Sequence, residues 1–185
     1  MNRAQAGPTP RLRTSLPSGL ATAATWNPEL AQAGGAMIGN EAFLSGFNVQ
    51  LAGGMNLIRE PRNGRNFEYG GEDPLLAGII TGHEIRGIQS QHVVSTMKHY
   101  AFNDQETNRM VMDHRIGEQA GRQSDLLAFE FANEVGQPGS VIPTLGITRQ
   151  YRVVEYRGIE PQEYDPLRIV FRLDAAGNIQ AVDCG

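Results

Sequence analysis

From Leu20 onward the chain alternates short apolar runs with longer stretches whose apolar residues recur at helical spacing. GLATAATW (residues 19–26) reads as a strand, and NPELAQAGGAMIGNEAFLSG (27–46) as a helix. In that helix Asn27 is the cap, Pro28 suits the first turn and Gly46 supplies the stop. FNVQLAGGMNL (47–57) reads as a strand running into a loop dense in charge, Gly and Pro, REPRNGRNFEYGGEDP (59–74). A second helix begins where Asp73 caps and Pro74 follows, in DPLLAGIITGHEIRGIQSQ. HVVSTMKHYAF (92–102) has the texture of a buried strand. QAGRQSDLLAFEFANEVG (119–136) is the clearest helix, with Leu127, Ala128, Phe131, Ala132 and Val135 as one apolar stripe and Gly136 and Pro138 as the stop. Strands alternating with helices of this length predict a parallel α/β sheet or barrel.

After Val141 the texture changes. RQYRVVEY and LRIVFRLDAAGNIQAVDCG read as antiparallel strands, the second a hairpin turning at residues 174–177, and no helical period follows residue 145. The shift falls on GQPGSV (136–141), which both ends a helix and opens a strand. Three segments follow: a flexible lead-in over 1–13 rich in Pro, Gly, Arg and Ser, an α/β unit over 14–141, and a small β unit over 142–185.

Composition narrows the functional classes. With 40% apolar and 19% charged residues the chain has the means to build a core. A formal charge of -4 argues against a nucleic-acid partner, which requires a clustered basic surface. The single cysteine, Cys184, makes neither an internal disulfide nor a cysteine-paired zinc site. No run approaches the ~20 apolar residues of a membrane span, and the first residues lack the apolar segment of a secretory signal, so a cytoplasmic setting is the default expectation.

Two segments carry the chemistry, both placed where an α/β barrel puts function, beyond the C-terminal ends of strands. In residues 58–74, Arg59, Arg62 and Arg65 offer planar donor forks, and Glu60, Glu68, Glu72 and Asp73 are carboxylates able to pair with them. The alternative for this loop is purely structural: Arg–carboxylate pairs that tie it down. In MKHYAFNDQETNR (97–109), Lys98 and His99 follow directly on an apolar strand, and Asn103, Asp104, Gln105 and Glu106 crowd together. Such a mixture of charged donors and acceptors suits paired recognition of sugar hydroxyls; the alternative for His99 is a satisfied core histidine. Neighbouring side chains on a strand face opposite ways, so Lys98 and His99 share a site only if the strand ends there.

Other classes fare worse. His83, His92 and His114 lack metal-ligand spacing, and His83 with Glu84 reads as a solvated helix face. Ser124 and Ser140 lack a nucleophile elbow, and Gly53-Gly54 lacks the remaining glycines of a dinucleotide fingerprint. No metal or cofactor is expected.

The motifs TSLPSGLATAATWNPELA, GFNVQLAGGMNLIREPRNGRNFEYGGEDPLLAG, GIQSQHVVSTMKHYAFNDQETNR and SDLLAFEFANEVGQPGSV together resemble the N-terminal catalytic domain of glycoside hydrolase family 3, the β-glucosidase and exo-glucanase group. The resemblance implies a (β/α)8-type barrel, of which this chain is similar to the second to fifth strands. It implies that Arg65, Lys98 and His99 hold sugar hydroxyls next to the scissile bond, with Arg109 and Glu106 near that site. It also implies a nucleophilic aspartate in a Ser-Asp-Trp-like motif after the sixth strand; no such motif occurs among these residues, whose only tryptophan is Trp26. Retaining hydrolysis needs two carboxyls about 5–5.5 Å apart, so catalytic carboxyls within this chain would have to come from Glu68, Glu72, Asp73, Asp104 or Glu106.

The tail resembles something else. VGQPGSVIP with YRVVEYRGIEPQEYDPLRIVFRLDAAGNIQAVDCG is similar to the small family 78 serine-protease inhibitors, akin to potato inhibitor I. That likeness implies an exposed loop, residues 156–163, able to enter a protease cleft. The expected architecture is thus a partial (β/α)8-type barrel with a C-terminal antiparallel β appendage. Its open strand edges would be covered by that appendage or by a second copy of the chain in a homodimer. The expected function is binding, with hydrolysis, of a β-glucoside; the alternatives are a serine-protease partner for the tail, or an inactive fusion of the two parts.

Overall fold

The structure is a computed structural model; it describes residues 13–109 and 115–143, and beyond them the backbone of three strands. Five helices and three parallel strands make up the first part: α1 (Gly19–Ala23), α2 (Pro28–Leu44), β1 (Val49–Gln50), α3 (Pro74–Gln89), β2 (Val94–Tyr100), α4 (Glu118–Gln123), α5 (Asp125–Gly136) and β3 (Ser140–Pro143). The sheet runs β1-β2-β3, all parallel, with Val49 opposite Val94 and Thr96 opposite Ser140. Helix α3 connects β1 to β2, and α4 and α5 connect β2 to β3, the crossover that parallel strands require. The long helices pack side by side, α2 on α3 and α3 on α5, and α3 and α5 lie against β2. This is the repeating unit of an α/β barrel, as the pattern predicts.

Helix ends follow the sequence closely. Asn27 Oδ1 accepts from Leu30 N at 2.9 Å and Asp73 Oδ1 from Leu76 N at 2.7 Å, each before a first-turn proline. Gly46, at φ +79°, closes α2: Phe47 N donates to Ala42 O and Gly46 N to Phe43 O, the double bond of a Schellman stop. At the end of α5 the left-handed residue is Gln137 rather than Gly136. Gly136 serves packing instead: a Cβ there would lie 2.8 Å from Gly82 O and 3.0 Å from the Ile85 side chain. Gln89 then secures the following turn, donating to Gln137 O at 2.9 Å and accepting from Gly139 N at 2.9 Å.

Several expectations need correction. Residues 19–23 are helical, because Ser18 Oγ accepts from Ala21 N and the alanines favour helix over strand. The strand expected over 47–57 pairs regularly only at Val49–Gln50; Gly53, at φ +104°, kinks it before Gly54 bridges to Lys98. The helix expected over 119–136 breaks at Ser124 (φ -125°, ψ -99°). Its apolar stripe is joined by a second buried position: Phe129 packs with Met55, Ile85, Met97 and Ala132 in the core between helices and sheet. Strand β2 is buried on both faces through Ser95, Thr96 and Met97, as an interior parallel strand should be. Glu84 is no solvated residue; it is half-buried and lines an apolar cavity of about 320 Å³ with Leu30, Met37 and Ile38, and burial raises its carboxyl to about 7 against the lowering charge of Lys98.

Further along, β4 (Tyr151–Val154), β5 (Ile169–Leu173) and β6 (Ile179–Cys184) form a separate sheet. The β5–β6 pair is the expected antiparallel hairpin, but β4 runs parallel to β5, which corrects the all-antiparallel expectation. A parallel pair needs a long connection, and the 14 residues between them supply one. The expected turn at 174–177 and the loop at 156–163 lie outside the described residues.

Close helix packing depends on glycine. A Cβ on Gly35 would sit 2.1 Å from Glu84 O, and one on Gly87 2.1 Å from Gln32 O, so α2 and α3 approach backbone to backbone. Gly35→Ala is expected to lower stability by about 1–3 kcal/mol in urea denaturation. Gly34→Ala, where nothing lies within 4 Å, should instead raise it by roughly 0.5–1 kcal/mol through helix propensity. Equal effects of the two substitutions would contradict tight contact between these helices.

Candidate functional site

The chemistry gathers at the C-terminal end of β2, where the loop after β1 folds over it. Residues Asn66–Glu68 form a single 3-10 turn, so Arg65 and Glu68, three apart, lie on one side. Arg65 Nε donates to Glu68 Oε1 at 2.5 Å, and Lys98 Nζ meets Glu68 Oε2 at 2.5 Å. Glu68 therefore joins the loop to the strand end. Its backbone is clasped as well: a Cβ on Gly54 would come 2.4 Å from Glu68 O, and one on Gly19 2.8 Å from it. Burial alone would raise the Glu68 carboxyl, but the hydrogen bonds from Arg65 and Lys98 hold it down at about 2.

A second group continues from His99. Its backbone N–H donates to Asn56 Oδ1 at 2.9 Å, and its Nδ1 lies 3.1 Å from the Tyr69 hydroxyl. Asn103 Nδ2 donates to that hydroxyl at 2.8 Å and to Glu106 Oε1 at 3.0 Å, while Arg109 donates to Glu106 Oε2 at 2.7 Å. Asn63 Nδ2 in turn donates to Asn103 O at 2.8 Å, fastening the loop after β2 to the loop after β1. Regular strand geometry stops here: the Lys98–His99 and Tyr100–Ala101 peptide bonds are cis, and the register with β3 shifts between Lys98 and Tyr100. Lys98 and His99 both belong to the cluster. His99 is 6% exposed; burial, then the charges of Arg65 and Lys98, lower its pKa to about 4, so the ring is neutral at pH 7.

The structure brings together Arg65, Glu68, Lys98, His99, Glu106 and Arg109, and adds Tyr69, Asn56 and Asn63. Asn56 and Tyr69 carry no spacing signal; only a buried polar residue beside a strand end could have pointed to them. Among the carboxylates expected to supply chemistry, Glu68 and Glu106 are held by cations. Asp73 caps α3 and Glu72 is exposed beside it, and neither is hydrogen-bonded or ion-paired to this cluster, because the helix N-terminus claims that stretch of chain. Asp104 is half-buried next to Asn103. The purely structural reading of the loop holds for two arginines: Arg62 pairs with Glu60 on the surface, and Arg59 meets the fully buried Asp125 of α5 at 2.9 Å. Among the described residues no cluster of His, Cys, Asp and Glu is arranged to hold a metal, and no helix is long and apolar enough to cross a membrane.

Parallel strands with flanking helices and a polar cluster at their C-terminal ends define an α/β-barrel type of site. Comparison with known proteins makes this specific. The glycosyl hydrolase family 3 N terminal domain matches residues 3–139, and the chain belongs to that family. β-Glucosidase A of Butyrivibrio fibrisolvens is 40% identical over 127 residues, 69% of this chain and 15% of the relative; a β-glucosidase of Ruminococcus albus is 41% identical over 132 residues, 71% of this chain and 14% of the relative. The solved β-glucosidase 3B of Thermotoga neapolitana in complex with glucose aligns with a TM-score of 0.70 at 40% identity, covering 76% of this chain and 21% of that one. The chain spans about a sixth of the length of the curated relatives it matches. The family match ends at residue 139, and none of these relatives supports the protease-inhibitor likeness of residues 142–185.

The lowered pKa values give a pH signature. Unfolded chain takes up a proton at His99 near 6.5, before the folded protein does near 4, so its contribution to stability is complete above about pH 6.5 and falls as pH drops towards 4. Glu68, near 4.5 when unfolded and about 2 when folded, adds a further loss below about pH 4.5. Glu84, raised to about 7, acts the other way and adds stability as pH falls from about 7 to 4.5, so the His99 loss of roughly 3 kcal/mol at most is read from the difference between the unaltered protein and His99→Gln. Urea midpoints measured from pH 7.5 to 3.5 should rise more steeply in His99→Gln than in the unaltered protein between pH 6.5 and 4.5, and both should fall below pH 4.5.

Proposed function

We propose that this chain supplies the sugar-binding part of a β-glucosidase, holding glucosyl hydroxyls between Arg65, Lys98 and His99. The observation that carries this reading is the convergence of two cations and a neutral imidazole, braced by Glu68, at the C-terminal strand ends. Arg65 and Lys98 keep donors beyond those bound to Glu68, since a guanidinium has five and an ammonium three. Hydroxyl oxygens accept such charge-assisted bonds, and the pre-formed ion pairs limit the ordering cost on binding. The presence of glucose in solved relatives supports the same ligand class.

Glu68 and Glu106, as anions paired with cations, serve to position donors. General-acid catalysis needs a carboxyl kept protonated, and a carboxylate held down at about 2 does not provide one. Hydrolysis of β-glucosides on this reading requires a general acid other than Glu68. Residues 14–141 form the sugar-binding unit, and residues 142–185 a separate β unit.

Calorimetric titration of the whole chain with glucose and with methyl β-glucoside tests the binding. Lys98→Ala and His99→Ala are each expected to weaken binding at least tenfold, about 1.4 kcal/mol. Binding that survives both substitutions would refute this site, as would no detectable binding to the unaltered protein. A nitrophenyl β-glucoside assay on the same proteins reports whether the bound sugar is also cleaved.

A further inference from the structure

The hydrogen bonds behind His99 have a fixed direction, and Glu106 sets it. A carboxylate only accepts, and Glu106 is paired with Arg109 at 2.7 Å. The Asn103 amide, 3.0 Å away, must therefore turn its NH2 towards Glu106, because its carbonyl there would set acceptor against acceptor. Its second N–H then reaches the oxygen of Tyr69 at 2.8 Å. Tyr69 is fully buried, and burial pushes its phenol up to about 12, so it keeps its proton. With its oxygen already receiving Asn103, the phenol proton goes to the remaining neighbour, His99 Nδ1, at 3.1 Å. A neutral imidazole whose Nδ1 accepts carries its own proton on Nε2. Among the described residues Nε2 makes no hydrogen bond.

We propose that Tyr69 is a positioning residue that fixes His99 as the Nε2–H tautomer, so that its ring presents a donor to the sugar. The relay Arg109–Glu106–Asn103–Tyr69–His99 sets the polarity of the site from a salt bridge several side chains away. Arg65, Lys98 and His99 then all present donors, and Glu68 is already engaged by both cations. With three donor groups facing the ligand and both oxygens of Glu68 already bonded to cations, such a site favours ligands that accept through oxygen lone pairs over ligands that carry an ammonium group. This specificity rests on the proposed sugar site; the tautomer itself does not.

Long-range 15N–1H spectra of the whole chain at pH 7 decide the tautomer, with His99 assigned from the spectrum of His99→Gln. Nδ1 should resonate in the unprotonated range and Nε2 in the protonated range. A protonated Nδ1 would overturn the relay. In Tyr69→Phe, which removes only the hydroxyl, the single tautomer should give way to a mixture; an unchanged spectrum would remove Tyr69 from its assigned role. Should Tyr69→Phe fail to fold, the unaltered protein still decides between the two tautomers. These spectra need no sugar, so a failure of glucose to bind would refute the proposed function while leaving the tautomer result intact. Where glucose binds, glucosamine protonated on its amine should bind at least tenfold more weakly, and equal binding would refute the donor-rich polarity.

Discussion

The carboxylate of Glu68 lies between two cations that would otherwise repel each other across a half-buried loop. At the separations found here, unit charges interact by several kcal/mol even with an effective dielectric constant of about 20. The bridge therefore decides whether Arg65 and Lys98 can occupy one site at all. It also requires close approach of backbone: Gly54 after β1 and Gly19 at the start of α1 leave room for the Glu68 carbonyl that no other residue would leave. Gly54 and Gly19 thus let the loop that carries the ion triad pack closely against the chain after β1 and the start of α1.

Scaffold and site are linked through glycine-lined helix contacts. Gly35 and Gly87 bring α2 and α3 together, while Gly78 and Gly82 admit Ala128, Phe131, Ala132 and Val135 of α5. These contacts hold the helices against β2, whose end carries Lys98 and His99. The core beneath is modest in side-chain size, built around Met55, Ile85, Met97 and Phe129. Close backbone approach takes over part of what larger side chains do elsewhere, since interiors pack to the same density either way.

Polar burial beneath the site has a chemical consequence beyond support. Asn56, Asn103, Tyr69 and His99 are nearly inaccessible; Asn103, Tyr69 and His99 are linked by hydrogen bonds, while Asn56 is held through Oδ1 and its buried Nδ2 has no hydrogen-bond partner among the described residues. Buried polar groups left without partners would be costly, so this network keeps one arrangement of donors and acceptors. The neutral state of His99 follows from that burial and from the neighbouring cations. A sugar site of this kind is defined as much by which atom carries a proton as by which residues are present.

Much of this was legible in the chain alone. Helices α2 and α3 were announced by Asn27-Pro28 and Asp73-Pro74, because capping and first-turn proline are local effects that act within four residues. Buried strand β2 and the grouping of Lys98 and His99 with the Arg65 loop could also be expected, the latter from motif resemblance. Residues 19–23 read as a strand because an alternating run of Leu, Ala and Thr fits either period, and only the Ser18 cap and the packing of Ala23 choose helix. The parallel pairing of β4 with β5 likewise depends on a connection whose path no local pattern specifies. Sequence determined the elements and the types of chemical group at the site. Tertiary structure alone decided that Glu68 braces Lys98 together with Arg65 and that Tyr69 stands behind His99, because Glu68–Lys98 and Tyr69–His99 each join residues 30 positions apart.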